Sequence, residues 1–349
     1  MPDVKEQLIR LGFDQPKLQE HLRPIIDHLS RNDKEGGHEE TLEKEAKVFQ
    51  APPRLVNDCL SFFQTKYAGH VLALARDEIE KRNKIRAFWE SEGLSAPSHS
   101  KVEDLLQVEA KCLSYTSKAR EYRTKASTTI PVDVRNWSYI ERLNISPKEV
   151  QKKLKESALD KIRIIIDFRG KKGRGGQWHL PKKELSVEVT QFRHVHSTGT
   201  TVNNLPPDLK NFNIVMDRIE SVTRHECQHV GQSVLQSIQE TRTSPGYPSP
   251  STQNRNIREK EHALRDVEFH PRLADELFKF ERATKDVKNM GIKRLVAKVW
   301  VDAATPQEIS RIQDVTGHPY QAAHFFSMLK KNEPQKWEEA VKKFMFEAL

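Results

Sequence analysis

The sequence predicts an α+β protein that is mostly helical, with an N-terminal helical bundle followed by a region holding a small β-sheet, one chemistry-bearing helix and C-terminal helices. Three observations predict it. Long stretches carry apolar residues at steps of three and four with few breakers, and one β-branched region stands between Lys161 and Arg193. From Leu209 to Ile238 there is no proline and a single glycine, Gly231. At 349 residues the chain is long enough for two domains and a substantial core.

Composition narrows the class. Charged residues at 31% against hydrophobic ones at 36% exclude a collagenous or membrane-spanning chain, and no run of eighteen apolar residues occurs. The start, Met-Pro-Asp-Val-Lys-Glu-Gln, lacks the apolar core of a signal peptide, so a cytoplasmic location and no membrane partner are expected. Cys59, Cys112 and Cys227 are odd in number and widely spaced, which argues against a disulfide framework or a four-cysteine metal site. A net charge of +9 favours acidic partners, nucleic acid among them, but the lysines are spread through the helices, so support for nucleic-acid binding is weak.

Taken in order, residues 1–30 read as a helix pair, Val4 to Leu11 and Lys17 to Ser30, followed by a charged linker from Arg31 to Glu40. Residues 41–130 read as a helical bundle: Thr41 to Gln50, a long helix from Arg54 to Glu92 after Pro52 and Pro53, and Lys101 to Ser127. Leu55, Cys59, Phe62, Phe63, Tyr67, Val71, Leu72, Leu74 and Phe88 supply its apolar side, and its outer surface is a candidate for docking a protein partner. Residues 147–349 form the second region. Ile162, Ile164, Ile165, Ile166 and Phe168 predict one strand and Leu185, Val187 and Val189 another, with Gly170 to Gly176 as an exposed hairpin connection between them. That glycine-rich stretch lacks the Gly-Lys-Ser/Thr ending of a phosphate-cradling loop. Beyond the Leu209 to Ile238 helix, Thr241 to Asn254 is a proline-rich loop, Ile257 to Phe269 a helix broken or kinked near His270-Pro271, and Arg272 to Met290 continues as another helix. Arg294 to Val301 and Thr305 to Leu349 close the chain as helices, with Thr305, Pro306 and Glu308 as an N-terminal capping signal.

The chemistry concentrates in Val222 to Gly231, Val-Thr-Arg-His-Glu-Cys-Gln-His-Val-Gly. Histidines four apart on a helix lie one above the other, so the imidazoles of His225 and His229 can reach one metal ion while Glu226 projects beside it. A hydrolytic zinc site takes three protein ligands and keeps one position open for water. The helix face offers two, so the third comes from elsewhere in the chain. A histidine six residues after His229, the metzincin arrangement, would fall on Leu235, and Gln232 stands where that pattern has glycine.

The motif resembles that of the gluzincins, zinc metallopeptidases in which a glutamate on a second, downstream helix completes the site. By specific residues the resemblance covers His225, Glu226, His229 and Glu268, and by organisation Lys161 to Lys288. It implies a zincin-like domain whose edge strand pairs with the substrate backbone. It also implies Zn2+ as cofactor, and Glu226 as the base that takes a proton from a zinc-activated water attacking a peptide carbonyl. Of the candidates for the downstream glutamate, Glu240 lies about 16 Å along the axis from His229 if the helix persists, too far for shared coordination. Glu259 and Glu261 stand nearer the proline-rich loop. Glu268, among Leu264, Val267 and Phe269, is best placed, with Glu261 as runner-up and His262 and His270 as weaker alternatives. Asp266 is a candidate to hold an imidazole from behind, and His194, His196, Tyr247 and Arg272 are candidates to stabilise an oxyanion.

The expected function is therefore zinc-dependent hydrolysis of a protein or peptide substrate, with the N-terminal helices recruiting a partner. The rival is a basic helical interaction or nucleic-acid-binding protein in which the histidine pair is structural.

Overall fold

The computed structural model describes residues 48–97, 102–119, 125–141, 145–168, 175–189, 207–239, 266–302 and 324–349. The helix pair within 1–30, the linker, most of Thr41 to Gln50, the proline-rich loop and the Thr305 cap lie outside these residues. The described chain is mostly helical, with one small mixed sheet. It divides into two compact units, one within Gln50–Ser244, the other built, in its described part, from Val48, Phe49 and residues 266 onward.

In the first unit, α1 (Pro53–Ser91) starts with proline at its first position, where the missing N–H costs nothing, and ends before Gly93, whose φ of 69° suits a residue without a Cβ. Leu55, Cys59, Phe63, Tyr67, Val71, Leu72 and Ala75 form its fully buried stripe. Phe62 and Leu74 flank that stripe half-buried. Phe88, expected on the same side, is 61% exposed. Against α1 packs α2 (Glu103–Tyr115). The predicted helix from Lys101 to Ser127 is too long: Thr116 is already extended, and Lys125–Pro131 is strand β1. Its run of Ser127, Thr128, Thr129 and Ile130 is β-favouring chemistry that a helical reading overlooked. Helix α3 (Pro147–Glu156) is capped by the Ser146 hydroxyl, which accepts from the Glu149 N–H at 3.3 Å.

The sheet has the order β1, β2 (Lys161–Asp167), β4 (Glu184–Glu188), β3 (Gly176–His179). β2 pairs antiparallel with β1 and parallel with β4, while β3 pairs antiparallel with β4 along the outer edge. Central β2 buries Ile162, Ile164, Ile165 and Ile166. The two predicted strands exist, but they are not joined as a hairpin. A third strand, β3, takes up the end of the glycine-rich stretch and forms the hairpin with β4, which leaves β4 parallel to β2.

Two helices follow, α4 (Pro207–Lys210) and α5 (Phe212–Gln239). The Tyr67 hydroxyl of α1 donates to Asp208 of α4 at 3.1 Å, so the buried carboxylate is satisfied where the two meet. α5 packs on α1, α3, β3 and β4.

The second unit comprises α6 (Asp266–Thr284), α7 (Met290–Asp302), α8 (His324–Asn332) and α9 (Pro334–Ala348). Its core is aromatic: Phe280 meets Trp300 edge-on at 5.4 Å and Phe344 at 5.3 Å. Of the break or kink predicted at His270-Pro271, the break does not occur. Pro271 lies inside α6, which continues to Thr284. Leu273, Leu277 and Phe280, recurring at helical steps into the core, outweigh the lost N–H bond of one proline.

Candidate metal centre

The predicted apolar positions of α5 are its buried stripe: Phe212, Val215, Met216, Ile219, Val230, Val234 and Ile238 are all at most 5% exposed. Val222 is the exception, half-buried on another flank. Successive residues turn about 100°, so Val222, Glu226 and Ser233 line up one side of the helix, and His225, His229 and Gln232 the side next to it.

The flank of Val222, Glu226 and Ser233 lies against β3. An ideal Cβ built on Gly176 would stand 2.2 Å from Val222 Cγ1 and 3.0 Å from Glu226 Cγ, so only glycine permits this approach of strand to helix. The approach lets the backbone N–H of Trp178 donate to Glu226 Oε2 at 2.7 Å. The Trp178 indole N–H donates to Ser233 Oγ at 3.0 Å, and that hydroxyl donates to the His229 carbonyl at 2.9 Å. Glu226, 8% exposed, is thus held beside the histidines by the sheet's edge strand. None of this was predicted. A glycine directly before an alternating Gln-Trp-His was the available signal, and it was absorbed into the hairpin connection.

On the adjacent face the rings of His225 and His229 lie 5.0 Å apart, inclined at 75°. His229 is 8% exposed, His225 half-buried. Gln232 Oε1 stands 3.1 Å from His229 Nδ1. Cys227, inside the motif, faces the core instead. Its contact with Cys59 and its burial raise its thiol well above the ordinary range, so it is no thiolate ligand.

In the second unit Glu268 is 3% exposed, with Arg272 Nε 3.9 Å from its Oε2. His270, one of the weaker candidates, faces Phe49 and Phe269, and burial, with Lys343, pushes its pKa down to about 4. Asp266 lies at the start of α6. His225 and His229 of the first unit thus offer two imidazoles on one helix face, and Glu268 of the second is a buried carboxylate, the donor types of a metal site. Two imidazoles and one carboxylate are a hydrolytic zinc donor set, so the residues present fit the ion that the sequence motif implies. Glu240, Glu259, Glu261, His262, His194, His196 and Tyr247 lie outside the described residues.

Compared with known proteins, the chain matches no family model, no curated protein and no solved structure. Among the described residues no helix is long and apolar enough to cross a membrane.

Proposed function

We propose that this chain is a zincin-type metallopeptidase, a zinc-dependent hydrolase of a protein or peptide substrate. His225, His229 and Glu268 would hold the ion, and Glu226 would act as general base. The observation that carries the reading is the placement of Glu226: one residue from the first imidazole, buried, and oriented through Oε2 by a backbone N–H.

A zinc ion bound there supplies a Lewis acid that eases deprotonation of water and polarises a peptide carbonyl. The chain's own residues do the rest. Glu226 takes the water proton at Oε1 while Trp178 holds Oε2, and later gives that proton to the leaving amine. The fold that this reading implies for residues 147–349 is zincin-like, with β3 as the edge strand. The helices before it recruit the substrate protein.

The test has two stages. Protein purified without chelator and without added metal should carry about one equivalent of zinc by elemental analysis. A host lysate treated with wild type should then show new protein termini that are missing with Glu226→Gln, although this variant keeps its zinc. Metal-free protein, or identical termini from both, refutes the peptidase. Absent metal would favour the basic interaction protein.

A further inference from the structure

We propose that Gln232 is a positioning residue: its side-chain carbonyl fixes His229 in the tautomer with hydrogen on Nδ1, so that Nε2 is the atom offered to a metal. The inference deepens the metal reading above and rests on it. Residues three apart on a helix are neighbours, and Gln232 Oε1 lies 3.1 Å from His229 Nδ1. An amide oxygen only accepts. The ring nitrogen facing it must therefore carry the hydrogen, which in a neutral imidazole leaves the lone pair on Nε2.

The same bond stops the ring from rotating about its bond to Cβ. The backbone behind it is held as well, since Ser233 Oγ donates to the His229 carbonyl at 2.9 Å. With His229 8% exposed, few waters compete for Nδ1. Metal-binding histidines need a partner of this kind, and its loss costs about 10–100-fold in affinity. Here the partner sits one turn further along the same helix, so ligand and orienting group form together as α5 forms. One of the two residues at which the metzincin pattern fails, Gln232 in place of glycine, thereby acquires a use of its own.

The measurement is the ring 15N spectrum of metal-free protein labelled at histidine, in mildly alkaline buffer, with His229 assigned by its loss in His229→Gln. Wild type should show His229 with hydrogen on Nδ1. In Gln232→Leu the ring should shift toward hydrogen on Nε2, and zinc affinity, from competition with a chelator, should fall about 10–100-fold. Gln232→Glu, which keeps an acceptor oxygen, should restore both. A wild-type His229 with hydrogen on Nε2 overturns the proposal without need of any variant. So does a Gln232→Leu protein with unchanged tautomer or unchanged zinc affinity. If wild type binds no zinc, the metal reading fails separately, and the positioning of a ligand fails with it even where the tautomer is as expected.

Discussion

Replacing Gly176 with alanine tests how Glu226, the proposed general base, is held. The new Cβ would stand 2.2 Å from Val222 Cγ1, whereas carbon atoms rest at about 3.5–4.0 Å, so a gap of more than about 1.3 Å must open. Val222 cannot swing aside cheaply, because a β-branched side chain on a helix has one strongly preferred rotamer. The strand must move instead. Its movement stretches the 2.7 Å bond from Trp178 N–H to Glu226 and the 3.0 Å bond from the Trp178 indole to Ser233.

Overpacking of this kind costs about 1–3 kcal/mol. Leaving buried polar groups poorly paired adds about 1–3 kcal/mol. Against these stands a gain of about 0.4–1 kcal/mol from the stiffer unfolded chain. The net loss is about 1–5 kcal/mol, which for a unit of this size lowers the melting temperature by roughly 2–20 °C. Thermal and urea unfolding followed by circular dichroism would measure it. Gly176→Ala combined with Val222→Ala, which removes the clashing methyl, should recover about 1–2 kcal/mol as a coupling between the two sites. A Gly176→Ala protein that melts with wild type, or a double variant with additive losses, would show that strand and helix do not meet as described.

Three further outcomes are expected. Glu226→Gln should leave zinc bound and abolish turnover, because it removes the base and spares the ligands; wild-type hydrolysis in this variant would take the base role away. Glu268→Ala should weaken zinc binding, by chelator competition, far more than Glu261→Ala, and Glu268→Asp should partly restore it; the reverse ranking would move the third ligand to Glu261. Asp133 is held down to about 2 by Arg135, which bonds its carboxylate, so it contributes stability above its unfolded value of 3.8 that is lost as pH falls through about 2. Melting temperatures of wild type and Asp133→Asn should therefore differ most above pH 4 and converge toward pH 2, and a constant difference across that range would contradict this account.

What the sequence revealed of the site is what a single helix encodes. His225, Glu226 and His229 are three residues within five positions of one helix, and the buried stripe that orients them is a period of 3.6 that any reader of the sequence can count. The burial of Glu268 was also legible, since a carboxylate amid Leu264, Val267 and Phe269 announces it, and the residue is 3% exposed. What stayed hidden depends on the order of strands. β3 is four residues long, too short for an alternation to stand out, and its identity as an edge follows from β4 pairing in parallel with β2, a choice that no local pattern records. Pro271 misled for the opposite reason: a strong local rule was overruled by the core packing of Leu273, Leu277 and Phe280. The same contrast separates the two sides of α5. The histidine face, with Gln232 one turn beyond His229, is written in spacing alone, whereas the Glu226 flank makes sense only beside a strand whose glycine lets it come close. Substitutions on the first face should therefore act on the ion with little effect on folding, and substitutions on the second on the stability of the unit as well.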